Sequence, residues 1–344
     1  MTDIDLITTA LALVAEGKGI LAADESTGTI TRRFTAVGVD STPDTRRDYR
    51  TMLFTTPRIE AYLTGVIMYD ETIRQAMGDG TLLRDVLTRN GIIPGIKVDK
   101  GTTELANFPG EVVTEGLDGL RERLAEYRTM GARFCKWRSV IRIGDSIPTR
   151  GCLAINAHVM ARYAALCQEM GLVPIVEPEV LMDGDHTIER CEEVTTATLH
   201  HTFEQLAEQR VLLEGMLLKP NMVVPGRGSI EEANPAAVAE ATVRALRRTV
   251  PAAVPGIVFL SGGQTPEQAT ANLNAMNNLE NLPWELSFSF ARALQGPAMD
   301  AWRGKAENVQ LAQELFYHRA KMASAAREGE YSETMETATA RLSG

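Results

Sequence analysis

Eight short apolar runs rich in β-branched residues recur along the chain, each followed by a loop and then by a stretch of helical periodicity. They fall at 19–24, 65–70, 92–99, 133–140, 173–179, 215–219, 256–261 and 286–290. Amphipathic segments lie between them. Leu117, Leu120, Leu124 and Tyr127 share a helix face that Gly131 ends, and a second helix runs from Ala154 to Met170 before Gly171. Ile4, Ile7, Leu11 and Val14 open the chain at helix spacing, and Gly17 and Gly19 close that helix. Eight strands separated by helices predict an α/β fold with a closed parallel sheet, a (β/α)8 TIM barrel. The extra N-terminal helix precedes it and a helical C-terminal tail follows. A doubly wound open sheet is the alternative, but it usually carries a glycine-rich dinucleotide fingerprint after an early strand, and none is present. No linker or low-complexity tract divides the 344 residues. Residues 1–344 are therefore read as one domain, with a mobile tail from about 328 to 344.

The composition is that of a globular protein, 44% hydrophobic and 23% charged. A net charge of −10 argues against nucleic acid and anionic membranes as partners. Cys135, Cys152, Cys167 and Cys191 form no Cys-x-x-Cys pair and no zinc spacing, so they read as free thiols in a reducing compartment. The start, Met-Thr-Asp-Ile-Asp, lacks the basic and apolar blocks of a signal peptide. Apolar runs stay short of the ~20 residues that span a bilayer. A soluble cytoplasmic protein is expected.

In such a barrel the C-terminal ends of the strands converge on one mouth, where chemistry is done. Those ends carry Asp24, Lys97 with Asp99, Lys136 with Arg138, Glu177 with Glu179, Lys219, Ser261 and Arg292. Residues two apart on a strand share a face, so each of the three pairs can point inward together. Any one of these residues alone reads equally well as a surface salt bridge or a polar plug. Random surface charge, however, would not select the same end of nearly every strand.

Lys219 stands out because it ends the apolar run 211–218. A lysine carried deep into a hydrophobic strand loses hydration, and that cost favours its neutral, nucleophilic form. Neighbouring cations, Lys136 first among them, would add like-charge repulsion. A carboxylate in the same mouth, Glu177 or Glu179, can move the proton and water that imine formation requires. The constellation suggests a Schiff-base enzyme that needs no cofactor.

Ser261-Gly262-Gly263 follows the seventh run, where backbone N–H groups of a barrel commonly meet a phosphate, and Arg292 follows the eighth. Arg33, Arg46, Lys97 and Arg138 could hold a second anion, although Arg46-Arg47 also reads as a solvated helix face. A metal site is disfavoured: none of His158, His186, His200, His201 and His318 lies at a strand end.

Seven blocks spaced along nearly the whole chain resemble the class I fructose-bisphosphate aldolases. They are Leu-Ala-Ala-Asp-Glu-Ser-Thr-Gly (21–28), Gly-Ile-Lys-Val-Asp-Lys-Gly (95–101), Lys-Trp-Arg (136–138) and Ile-Val-Glu-Pro-Glu (175–179). Leu-Leu-Lys-Pro-Asn-Met-Val (217–223), Phe-Leu-Ser-Gly-Gly-Gln (259–264) and Arg-Ala-Leu-Gln (292–295) complete the set. The resemblance implies that Lys219 forms the imine with the ketone of fructose 1,6-bisphosphate, with Glu177 as the acid/base that expels water. It implies that Asp24 takes the fourth-carbon hydroxyl proton, that Lys136 steadies that hydroxyl and keeps Lys219 neutral, and that Glu179 tunes both. Ser261, Gly262, Gly263, Ser289 and Arg292 match the site for the first-carbon phosphate. Ser26, Thr29, Arg33, Lys97 and Arg138 match the part that holds the distal phosphate, and Arg46 matches a substrate-associated position. The expected products are dihydroxyacetone phosphate and glyceraldehyde 3-phosphate, with no metal. The family precedent is a homotetramer. Alternatives are a barrel aldolase preferring another sugar phosphate, such as fructose 1-phosphate, or a non-catalytic scaffold of the same fold.

Three departures from the family pattern carry expectations. Animal members end in a tyrosine on a mobile tail, used for proton exchange on the enamine. The last tyrosine here is Tyr331 and the sequence closes Ala340-Arg341-Leu342-Ser343-Gly344, which leaves Glu177, Glu179 or water as the carrier. The family's Ser-Tyr-Gly-Arg stands as Ser289-Phe290-Ala291-Arg292, and alanine tolerates positive φ poorly, so phosphate affinity should differ. The loop after Pro225 is expected to be trimmed.

Overall fold

The computed structural model describes residues 2–230 and 232–337. Its eight barrel strands are β1 (Gly19–Ala23), β2 (Leu63–Met68), β3 (Ile93–Lys97), β4 (Phe134–Ile141), β5 (Val173–Val180), β6 (Leu217–Leu218), β7 (Gly256–Phe259) and β8 (Glu285–Phe290). Each pairs in parallel with its sequence neighbours, and β8 returns to β1 through Ile20↔Ser289 and Leu21↔Phe290. The closed parallel barrel expected from the alternating pattern is the fold observed. Closure removes every sheet edge, and the parallel connections require the intervening helices.

The strand period of two separates two cores. Leu21, Val66, Met68, Ile96, Cys135, Trp137, Val176, Leu218 and Phe259 point outward to the helices. Ile20, Ala22, Ile67, Phe134, Val173, Ile175, Leu217 and Val258 point into the barrel. The N-terminal helix Asp3–Leu13 closes the lower end by adding Leu6, Ala10 and Leu13, with Val14 just beyond it, to that inner cluster. Phe134 fills the same layer because Gly95 faces it: a Cβ on Gly95 would lie 2.2 Å from the ring. The interior is thus apolar at the bottom.

Boundaries differ from the sequence expectation where hydrophobicity outruns hydrogen bonding. Asp70 starts the helix Asp70–Arg74 instead of ending β2. Val98 and Asp99 lie beyond β3, and of the run 215–219 only Leu217–Leu218 is strand, preceded by a 3₁₀ turn at Leu213–Gly215. The helix expected from Ala154 begins at Arg150, where Thr149 Oγ1 accepts from Cys152 N at 3.1 Å. An antiparallel hairpin, Thr102–Glu104 with Val112–Thr114, was not legible, because three-residue strands carry too few residues to show a period. It docks on the mouth, with Thr114 Oγ1 donating to Arg138 O at 2.8 Å.

Of the expected tail, the described part includes the helical turn Thr334–Thr337. Glu336 ties it to His318 Nε2 at 2.8 Å, Arg319 Nη1 at 2.6 Å and Tyr331 Oη at 3.0 Å. Residues 338–344, and with them the closing segment Ala340–Gly344 noted above, lie outside the described residues.

Candidate active site

The barrel ladder fixes where the central side chains begin. Lys219 N donates to Val176 O at 2.8 Å, which extends the β5–β6 ladder one residue past β6 and seats Lys219 beside Glu177. In the register of β4 and β5, Arg138 pairs with Glu177, and Lys136 of β4 pairs with Lys97 of β3. The inward face that is apolar below becomes ionic here within one pleat.

Four ionisable groups stand in a row. Lys219 Nζ is 3.3 Å from Glu177 Oε1, Glu177 Oε2 is 3.1 Å from Lys136 Nζ, and Lys136 Nζ is 2.7 Å from Asp24 Oδ2. Lys219 and Lys136 are each only 3% exposed. The sequence reading placed Lys136 as a cation crowding Lys219; the structure instead alternates the signs. Water can do little to support these charges, so they support one another. Burial alone would raise the Asp24 carboxyl, but Lys136, then Lys219 and Lys97, outweigh it and hold it well below the usual carboxylate range. Burial would likewise lower Lys136, but Asp24, Glu177 and Asp99 push its ammonium above the ordinary lysine value.

A second network, legible only in space, anchors Asp24. Its neighbour Glu25 turns away from the mouth and is bonded to Arg33 and Arg50. Gln295 Nε2 donates to Glu25 Oε1 at 3.1 Å and to Ala22 O at 2.6 Å, and its Oε1 accepts from Tyr49 Oη at 3.0 Å. Burial opposes ionisation of Glu25, but Arg50 and Arg33 lower its pKa nonetheless. Sequence reasoning quoted Glu25 and Gln295 within motifs but assigned them nothing. A carboxylate directly beside a strand-end aspartate was the signal available.

The other expected residues divide around this row. Glu179 is bonded to Arg138 rather than to Lys219, and its Oε1 lies 3.1 Å from where a Cβ on Gly262 would sit. Lys97 Nζ is 2.6 Å from Asp99 Oδ1. Ser26 Oγ and Thr29 Oγ1 are 3.2 Å apart, and Ser26, Lys97 and Asp99 line a cavity of about 460 Å³. Arg46 is engaged by Glu71, with Nε–Oε2 at 2.7 Å and Nη2–Oε1 at 2.5 Å, and its Nη1 donates to Ser41. A cavity of about 1010 Å³ along the helix Val309–Arg327 is lined by none of the expected site residues.

Across the mouth, Ser261, Gly262 and Gly263 form the turn after β7, and Arg292 opens the helix after β8. Gly263 has φ +80, which a side chain would strain. Ser289 is 1% exposed, and its Oγ has no hydrogen-bond partner among the described residues. Ala291 has φ −103, so the strain anticipated for alanine in place of glycine does not arise. Burial lowers the Arg292 pKa, and repulsion from Arg33 and Arg227 adds to it against Glu179 and Asp183. Arg33 thus lies within electrostatic reach of Arg292, and Arg227 is a residue the sequence reading missed. The loop after Pro225 carries it: Gly226, Arg227 and Gly228 N–H groups donate to His186 O, Met182 O and Gly184 O at 2.9, 2.9 and 2.8 Å.

Chemically, the row offers an amine next to a proton carrier, an ammonium next to a carboxylate, and cations to either side for two anions. No group of three or more His, Cys, Asp or Glu among the described residues could hold a metal ion. No helix among them is long and apolar enough to cross a membrane.

Residues 5–343 match the family model described as fructose-bisphosphate aldolase class-I. A probable fructose-bisphosphate aldolase class 1 of Xanthomonas campestris pv. campestris is 58% identical over 317 residues, covering 92% of this chain and 95% of its own. Fructose-bisphosphate aldolase 4, cytosolic, of Arabidopsis thaliana is 52% identical over 328 residues, 95% of this chain and 84% of its own. Among solved structures, fructose-bisphosphate aldolase from Plasmodium falciparum, in complex with TRAP and a small-molecule inhibitor, superposes with a TM-score of 0.94 at 48% identity. It covers 96% of this chain and 95% of its own.

Proposed function

The chain belongs to the class I fructose-bisphosphate aldolase family, and on that premise we propose how the residues of its mouth divide the reaction. The enzyme is a lyase that reversibly cleaves fructose 1,6-bisphosphate to dihydroxyacetone phosphate and glyceraldehyde 3-phosphate. The family reaction runs through a lysine Schiff base without a metal.

One observation carries the assignment: the unbroken sequence Lys219, Glu177, Lys136, Asp24, with neighbours 3.3, 3.1 and 2.7 Å apart. Lys219 must be uncharged to attack the second-carbon ketone, and Glu177 is the nearest group that can take its proton. The same carboxyl then returns a proton to the carbinolamine oxygen, water leaves, and an iminium forms. Asp24 removes the proton of the fourth-carbon hydroxyl, the bond between carbons three and four breaks, its electron pair becomes the double bond between carbons two and three, and the iminium π pair moves to the nitrogen. The aldehyde departs and a neutral enamine remains. Protonation of carbon three and hydrolysis of the imine release dihydroxyacetone phosphate and regenerate the Lys219 amine.

A carboxylate held as low as Asp24 is a weak base while Lys136 grips it. The entering hydroxyl, inserted between the two, would loosen the pair and strengthen the base as the bond breaks. Lys136 then stabilises the developing alkoxide. Glu179, through Arg138, acts on this row from a distance.

The first-carbon phosphate is assigned to Ser261, Gly262, Gly263, Ser289 and Arg292. The orphaned Ser289 hydroxyl and the crowded Arg292 both favour an incoming anion. Ser26, Thr29, Lys97 and Arg138 are assigned to the distal phosphate, with Arg33 between the two groups. A substrate contact by Arg46 would have to replace Glu71. We infer a cytoplasmic location, in keeping with relatives named cytosolic. A homo-oligomer, by family precedent a tetramer, is the inferred assembly, which sedimentation equilibrium would separate from a monomer.

Borohydride reduction with dihydroxyacetone phosphate should leave a covalent adduct that peptide mass spectrometry places on Lys219. The Lys219→Ala variant should lose turnover by about 10⁴-fold or more. Unimpaired cleavage by that variant would refute the assignment.

A further inference from the structure

We propose that Arg227 joins Arg292 at the first-carbon phosphate site and sets the preference for a phosphorylated over an unphosphorylated ketone donor. This rests on the aldolase assignment above and extends it to a residue outside the motifs that identify the family.

The geometry begins with the loop. Hydrogen bonds from the amides of Gly226, Arg227 and Gly228 pin it to the segment Met182–His186, so the root of the Arg227 side chain is held without help from the side chain itself. Gly226 permits that approach, since a Cβ there would lie 2.4 Å from Gly184 O. From this root the side chain reaches over the phosphate turn: Arg227 Nε lies 3.6 Å from where a Cβ on Gly263 would sit.

The charges complete the case. Arg33 and Arg227 are each near enough to Arg292 to repel its charge. Arg33 is engaged by Glu25. Glu179 and Asp183 face the cluster in opposition, but Glu179 is committed to Arg138. Asp183 stands 3.8 Å from Arg227 Nη1, and both side chains of that pair are at least half exposed. A loose pair of this kind contributes little and gives way cheaply to a better anion. Guanidinium groups that repel each other beside backbone N–H donors form a site whose missing member is a doubly charged oxyanion, which arginine binds in bidentate fashion. A phosphoryl group on the turn would relieve the repulsion and be held from the Arg292 side and the Arg227 side together.

The experiment is donor selectivity in the condensation direction with glyceraldehyde 3-phosphate as acceptor. With dihydroxyacetone phosphate, Arg227→Ala and Arg227→Gln should lose about tenfold to hundredfold in kcat/KM, mostly through KM. With dihydroxyacetone, which has no phosphate to hold, the wild-type-to-variant ratio should stay within about twofold. Arg227→Lys should recover part of the loss, and inorganic phosphate should inhibit the alanine variant less than the wild type. Equal losses on both donors would mean that Arg227 only positions the loop. Unchanged kinetics with dihydroxyacetone phosphate would likewise overturn the proposal. Failure of the wild type to trap a borohydride adduct on Lys219 would instead sink the Schiff-base assignment beneath it.

Discussion

The two ends of the barrel are built from the same strands and obey opposite rules. At the lower end the inward positions are Ile20, Phe134, Val173, Leu217 and Val258, sealed by Leu6, Ala10 and Leu13 of the first helix. One pleat or two higher, the same inward faces carry Asp24, Lys136, Glu177 and Lys219. Below, contacts are non-directional and roughly additive in buried area. Above, each charge is tolerable only because the next one along is its counter-ion. The lower end can be altered in steps, whereas the upper end functions as a unit.

The largest test of this contrast is Lys136→Met. It leaves Asp24 and Glu177 buried without their shared cation, at a cost of about 3–5 kcal/mol. Turnover should fall by about 10³-fold as well. Chemical denaturation and steady-state kinetics would read the two effects. A variant that lost activity but no stability would show that the row is not mutually supported.

Phe134→Ala probes the opposite end. Removing a fully buried ring should cost about 3–5 kcal/mol in stability while KM stays near wild type. Gly95→Ala drives a methyl into the same ring from the other side and should cost about 1–3 kcal/mol. A large KM change in either variant would show that the two ends are coupled.

Acid should distinguish the ends further. The folded pKa of Asp24 lies below its unfolded value, so its contribution is complete above about pH 4 and drains away as pH falls through the folded value. In urea melts, the stability gap between wild type and Asp24→Asn should therefore narrow below about pH 4. A gap that stays constant through that range would contradict the charge pairing. Phe134→Ala, in contrast, should keep the same deficit at every pH.

The smallest effect is local. Thr265 caps the helix that leaves the turn at 261–263, its Oγ1 accepting from Gln268 N at 3.2 Å while Gln268 Oε1 accepts from Thr265 N at 3.0 Å. Thr265→Ala should cost about 1 kcal/mol by thermal melt. A substantially larger loss would mean that this cap also braces the turn.

Much of this molecule can be read along the chain because strand and helix periods are local properties. Hydrophobic runs placed all eight strands to within two residues or so, and the polar residues at their ends fell at the mouth. The hairpin at 102–114 escaped notice because its strands are too short to show a period. Its hold on Arg138 runs through a single threonine hydroxyl.

Residue types and strand order were sufficient for the barrel and for an inward Lys219. Pairing was not, since it depends on distances between strands that no periodicity encodes. Lys136 turned out to be the partner of Asp24 and Glu177, Glu179 that of Arg138, and Glu25 the hub of a network through Gln295, 270 residues away. Arg227 gained its meaning in the same way. It lies eight positions beyond Lys219 on a short loop, and only the folded chain lays it over a turn made thirty-six residues later.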